Sequence, residues 1–227
     1  NGLHKVPIVI RMVIGRGWGQ GPEHSQSLEA IFSHVPGLKV IMPAFAADAK
    51  GMIISAVEDN NPVIVLEHRW SHYSLGEVPE GFYRAPLNGP IRVREGGALT
   101  VVATSYMTLE AIRAADVLSD LGHPIEVLDL RVLRPLNLDP IVKSVSRTGR
   151  LLTVDTGFRM FGIGAEIAAE VTSLCFSSLK AAPVRLGLPD HPTPSSRGLV
   201  RGFYPDAAQI ARNCAEMLGL PDEIATQ

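Results

Sequence analysis

Continuous apolar runs alternate with amphipathic segments along this chain. VPIVIRMVI (6–14) reads as a buried strand. From Ser27, the positions Leu28, Ile31, Phe32 and Val35 follow the spacing of one helix face, and Pro36–Gly37 ends that helix. LKVIMP (38–43) is a second strand. Asp48 then caps a helix with inner face Ala49, Met52, Ile53, Ala56 and Val57, which DNNP (59–62) stops before a third strand at 62–68. Residues 69–97 break the rhythm with Pro79, Pro86, Pro90 and several glycines, and read as a linker or crossover. A second series follows, with strands at 98–104, 124–130, 150–156 and 182–188 and helices at 107–122, 138–149, 164–179 and 205–218. Asn137 or Asp139 lies near the cap of the second of these helices, and Pro205 or Asp206 starts the last. Unbroken apolar strands alternating with helices imply mostly parallel sheets covered on both faces. The fold class is therefore α/β in two layers on either side of the 69–97 break, the first with only three strands and two helices and the second complete.

Composition narrows the partners. The chain has 227 residues, 46% of them apolar, so it can bury a real core. A formal charge of −2, with no basic block, argues against nucleic acid as a partner. No apolar run approaches a membrane span, and residues 1–20 do not read as a signal peptide. Cys175 and Cys214 fall in helical segments outside any CxxC pair and read as reduced core thiols of a cytoplasmic type of protein. The chain enters its first strand with no initiator Met, and so reads as a piece of a longer polypeptide.

GRGWGQGPEHSQSLEAIF (15–32) is the stretch that most invites chemistry. Its glycines at 15, 17, 19 and 21 fail the GxGxxG spacing, and no GK[ST] follows, so it is neither a dinucleotide nor a P-loop motif. Alternating glycines still permit positive φ and close approach by a ligand or another backbone. His24 and Ser25 would sit near a helix N-terminus, which suits an anion; a tight structural loop with a solvated histidine is the plainer reading. His68 and His72 have the spacing of a metal pair, but they follow a strand without a third ligand, so incidental surface histidines are the better reading. AVEDNNP (56–62) gathers Asp59, Asn61 and a helix end with free carbonyls, either a hard-cation site or an ordinary helix stop. His191, in the proline-rich loop 190–198, belongs to a rigid turn or a site wall, and 157–166 to a domain or subunit contact. Asp129 and Asp155 end strands without a distinguishing role.

Taken together, GPEHSQSLEAIFSHVPGLKVIMP and DAKGMIISAVEDNNPVIVLEH resemble the beta subunit of the thiamine-diphosphate-dependent 2-oxo acid dehydrogenases, nearest the pyruvate dehydrogenase type. GALTVVATSYMTLEAIRAADVLSDLGHPIEVLDLRVLRPLNLDPIVKSVSRTGRLLTVDTG and GIGAEIAAEV are similar to that family's transketolase C-terminal domain. The resemblance covers about residues 5–215 and implies a partial pyrimidine-binding α/β/α domain (1–75), a linker (76–97) and a transketolase C-terminal domain (98–227) that builds a dimer. It implies oxidative decarboxylation of a 2-oxo acid with reductive acylation of a lipoyl group, in a heterotetramer. The partners would be an alpha subunit holding the diphosphate and Mg2+, a second beta subunit and a lipoyl acyltransferase core. His24 matches the active-site histidine of the HSQ motif, with Trp18 and Gln20 as candidate lining residues. Ile8, Ala56, Val57, Asp59 and Asn61 match a K+ site. The glutamate that activates the aminopyrimidine and the aromatic residue that stacks on it would lie upstream of Asn1, so this piece would not act alone. Thr156 stands where the family usually has Glu, and RGLVRGFYPD replaces its usual LE. Acetoin dehydrogenase, transketolase, deoxyxylulose-phosphate synthase or a non-catalytic dimerisation module are the alternatives.

Overall fold

The structure is a computed structural model that describes residues 4–17 and 19–221. Two mixed sheets form. The first contains β1 (Val9–Ile14), β2 (Lys39–Ile41), β3 (Val63–His68) and β7 (Val132–Arg134), in the order β1-β3-β2-β7. The second contains β4 (Ile91–Arg94), β5 (Thr100–Ala103), β6 (Glu126–Asp129), β8 (Leu151–Phe158) and β9 (Val184–Leu188), in the order β4-β6-β5-β8-β9. Only β7 and β4 run antiparallel to their neighbours. The helices are α1 (Glu29–Ser33), α2 (Ala46–Val57), α3 (Tyr106–Asp120), α4 (Asp139–Thr148), α5 (Ile163–Cys175), α6 (Arg197–Val200) and α7 (Ala207–Leu218).

Strand and helix alternate as the apolar pattern predicts, except where β4 and β7 are added with no α-helix before them. Helix ends follow local chemistry. Asn137 Oδ1 accepts the Asp139 amide at 3.1 Å, Gly149 ends α4 at φ 77°, and Asp206 caps α7 by accepting the Gln209 amide at 2.8 Å. Three expectations need correction, and one strand is new. The stretch expected as a linker at 76–97 contains β4, an edge strand of the second sheet. Residues 132–134 form β7, which leaves the second half of the chain and pairs with β2 in the first sheet. Asp48 does not cap α2; its carboxylate binds the buried Arg131 guanidinium at 2.8 Å, across the two halves. β1 is an edge strand rather than a buried one: Ile10 and Val13 are exposed, because only β3 pairs with it.

The second sheet has a topological switch between β5 and β8. The chain leaves β5 for β6 on one side, then crosses back to β8 on the other. Ligands of open α/β sheets bind at the carboxyl ends of strands flanking such a switch. In this chain that position is filled by protein.

Candidate active site

Gly15 ends β1 at φ 75°, and a Cβ there would overlap the imidazole of His68, the last residue of neighbouring β3. The glycine therefore makes room for a side chain of this chain. His68 is fully buried, which overturns its reading as a surface residue. Its Nδ1 accepts the Trp70 amide at 3.3 Å, and its ring stacks on Tyr106 at 5.5 Å and meets Trp70 and Tyr204 edge-on. Burial, with His72 and Arg69 adding repulsion, pushes the imidazole down to about 3, so it is neutral at ordinary pH. His72 points elsewhere and lies 3.1 Å from Glu67. The two histidines do not form a metal pair, and no group of three or more potential ligands exists among the described residues.

The glycine loop is tied down from both sides. The Arg16 amide donates to Tyr204 Oη at 2.9 Å, and its buried guanidinium donates to the Ser195 carbonyl at 2.9 Å. Gln20 turns its carboxamide inward to accept the Gly17 amide at 3.1 Å, and so serves the loop's own turn. Trp18 lies outside the described residues. Arg69 donates to the carbonyls of Gly15 and His24, each at 3.2 Å.

His24 sits in a single 3-10 turn, Glu23–Ser25, separate from α1. Helix α1 spans five residues and starts at Glu29, so the anion-binding helix terminus expected beside His24 is not formed. The exposed His24 borders a cleft of about 200 Å³ lined also by Met12, Val13, Ile14, Glu23, Gln26, Leu28, Phe32, Leu66 and Arg69. The cleft lies against the carboxyl-terminal halves of β1 and β3. Its lining is mixed: aliphatic side chains and Phe32 meet an imidazole, a guanidinium and a carboxylate, which suits a ligand with an apolar ring and a polar reacting centre. His191 is exposed and lines an adjoining cleft of about 370 Å³ together with Gln26, Leu28 and Phe158.

The K+ candidates are placed as follows. Asp59 pairs with the Lys39 ammonium and also accepts the Asn61 amide at 2.9 Å. Burial alone would raise the Asp59 carboxyl, but these bonds outweigh it and lower it. The Ile8 carbonyl accepts the Val63 amide at 2.9 Å, the Ala56 carbonyl accepts the Asp59 amide at 3.2 Å, and Val57 and Asn61 are exposed. Lys39 already supplies the positive charge, so this arrangement does not fit a bare cation.

Sequence reasoning missed Arg69, Tyr204 and Glu29. The first two lack any local signal, since their partners lie far along the chain. Glu29 had one: a carboxylate beside an apolar helix stripe. The expected α1 face is partly reversed, with Ile31 and Val35 exposed while Glu29 and Ser33 are buried.

Residues 1–72 match the family model "Transketolase, pyrimidine binding domain", and residues 88–210 match "Transketolase, C-terminal domain". The chain is 40% identical over 210 residues to the beta subunit of acetoin:2,6-dichlorophenolindophenol oxidoreductase from Cupriavidus necator, covering 92% of this chain and 62% of that one. It is 40% identical over 209 residues to the pyruvate dehydrogenase E1 component subunit beta of Porphyra purpurea, covering 92% and 63%. It is 37% identical over 222 residues to the 2-oxoisovalerate dehydrogenase subunit beta of Pseudomonas aeruginosa, covering 90% and 62%. The chain thus spans little more than three fifths of these relatives. A solved structure described as a split-gene transketolase, inactive beta4 tetramer, superposes with a TM-score of 0.76 at 25% identity, over 95% of this chain and 68% of that one. By its two matched domains and its fold, the chain belongs to the transketolase family.

Proposed function

We propose that this chain is the beta-type part of a thiamine-diphosphate-dependent 2-oxo acid dehydrogenase decarboxylating component, with pyruvate as substrate. The observation that carries this reading is the exposed His24 on a cleft of mixed lining against the carboxyl-terminal halves of β1 and β3, in a chain 40% identical to a pyruvate dehydrogenase beta subunit. Residues 1–75 act as part of the pyrimidine-binding domain and 98–227 as the C-terminal domain. An alpha subunit supplies the diphosphate and Mg2+ site, a second beta subunit completes the dimer, and a lipoyl acyltransferase core accepts the acyl group. The compartment is the cytoplasm, or the mitochondrial matrix in a eukaryote. Among the described residues no helix is long and apolar enough to cross a membrane.

The chain's own residues divide the work. Met12, Ile14, Leu28 and Leu66 offer the apolar wall that fits a planar ring. Thiamine diphosphate, when bound, supplies the carbanion chemistry. His24 holds or delivers a proton at its imidazole during acyl transfer. Arg69 fixes the backbone that carries His24.

With the partner subunit present, His24→Ala is expected to slow acyl transfer by about 10²–10⁴-fold while cofactor binding, read by calorimetry, changes little. Wild-type turnover in that variant would overturn the role. Acetoin as substrate is the second reading, favoured by the 40% identity to the Cupriavidus necator subunit. Steady-state assay with pyruvate, a branched 2-oxo acid and acetoin separates the two.

A further inference from the structure

The carboxyl ends of β5 and β8, at the switch point of the second sheet, carry a buried polar cluster that the proposed activity does not use. Asp155 lies there, and its Oδ1 accepts the Thr104 hydroxyl at 2.8 Å and the Gly157 amide at 3.3 Å. Glu29 reaches the same place from α1 in the other half of the chain. A Cβ on Gly157 would overlap Glu29 Oε1, so Gly157 contacts both acids and leaves a seat for the second one. Both carboxyls are fully withdrawn from water, at 1% and 3% exposure. Among the described residues, Glu29 Oε2, Asp155 Oδ2 and Thr156 Oγ1 find no hydrogen-bond partner.

Two buried carboxylates beside one glycine do not both stay ionised without a counter-charge. Among the described residues no lysine, arginine or histidine forms an ion pair with either. Tyr204 faces Glu29, and Arg16, bonded to Tyr204, spends its guanidinium on backbone carbonyls. Asp155 faces the N-terminus of α5, where Glu166 is exposed, and Arg159 beyond β8 is exposed too. On the segment of Glu29 itself, Glu23, His24 and His34 are exposed. Asp155 therefore has the better claim to negative charge, through its donors and the helix end, and Glu29 keeps the proton.

We propose that the buried pair Glu29 and Asp155 holds a single proton, resident on Glu29, at the seam between the two halves, and that this pair anchors the segment carrying His24. Glu29 is thus a positioning residue, five positions beyond His24. The claim about His24 rests on the proposed activity; the claim about the proton does not. Burial, with Asp155 adding repulsion, raises the Glu29 carboxyl from 4.5 to about 8. Burial likewise raises Asp155, against the hydrogen bonds that lower it. The unfolded chain releases the Glu29 proton first as pH rises. The folded state therefore loses stability across the range from about 4.5 to about 8, then levels off.

The test is infrared difference spectroscopy on the intact protein, wild type against Glu29→Gln, without substrate or cofactor. Burial also raises the Asp129 carboxyl to about 8, so the readout is the wild-type-minus-variant difference: it should contain a protonated-carboxyl C=O band at neutral pH that vanishes as pH rises past about 8. Asp155→Asn should move its midpoint down by about one pH unit, because a neighbouring negative charge is gone. Absence of the difference band at neutral pH, or an unmoved midpoint in Asp155→Asn, would overturn the single proton of the pair. In the assembled enzyme, the alkaline fall of kcat should follow the same midpoint and shift with Asp155→Asn. A band that titrates as stated while kcat ignores it overturns the positioning role alone. Absence of any turnover with 2-oxo acids or acetoin, while the band titrates, overturns the proposed activity and leaves the single proton of the pair standing.

Discussion

The two sheets end differently on the side where an α/β protein binds ligands. Against the carboxyl-terminal halves of β1 and β3 lies an open cleft bordered by His24, whereas beyond β5 and β8 the switch point is filled by Glu29. Each end has a glycine whose missing side chain is replaced by one from elsewhere in the chain: the His68 ring against Gly15 and the Glu29 carboxyl against Gly157. A glycine beside a strand end thus marks close approach without saying what approaches. The fillers differ in kind. His68 is a rigid ring held by three aromatic neighbours, and Glu29 is a flexible side chain with a proton to lose.

That difference is open to attack. Gly15→Ala should have the largest effect, on the order of 4 kcal/mol or more, since the new Cβ meets a ring that cannot move and the backbone stands at φ 75°. Urea denaturation measures it; a cost near that of a surface change would show that the ring yields. Asp48→Asn tests whether the two ends belong to one unit. It leaves the buried Arg131 guanidinium without its carboxylate and should cost about 3 kcal/mol, read as one cooperative transition for both halves. Two separate transitions in the wild type would contradict the single unit.

His68→Phe should flatten the acid side of the stability curve. The folded imidazole titrates near 3 and the unfolded one near 6.5, so the unfolded state binds the extra proton between those values. Stability present above pH 6.5 is lost as pH falls, by roughly 2 kcal/mol at pH 4.5–5, and the variant should keep it. Parallel curves for both proteins would count against a buried neutral His68. Gly157→Ala should be the mildest, at about 2 kcal/mol, because a carboxyl can swing where a ring cannot. Most of that cost should vanish in a Glu29→Ala background; additivity in the double-mutant cycle would mean that the seat is not shared.

Several parts of the fold were legible beforehand because they depend on neighbours in sequence. The strand–helix alternation follows from period and run length, and Asn137, Gly149 and Asp206 mark helix ends through bonds spanning only a few residues. The resemblance picked out His24, and the structure places it at a cleft. Misreadings fell where distant contacts override local pattern. Leu28, Ile31, Phe32 and Val35 have helix spacing, yet α1 turns Glu29 and Ser33 inward because Gly157 offers a seat for the carboxyl. Residues 132–134 are too short to announce a strand, and they become one because β2 offers an open edge.

The sequence by itself determined the α/β class, the order of most elements and the family to which the HSQ segment points. Those depend on hydrophobic period, turn residues and motif spacing, all of them local. Tertiary structure alone decided which glycine admits which side chain and that β7 crosses into the other sheet. It also decided that Asp48 serves Arg131 rather than its own helix, and that His68 is neutral while Glu29 holds its proton. The physical reason is that burial and charge compensation are properties of whatever surrounds a group in space. Tyr106 stacked on His68, Arg131 paired with Asp48 and Gly157 seating Glu29 each lie tens of positions away or more.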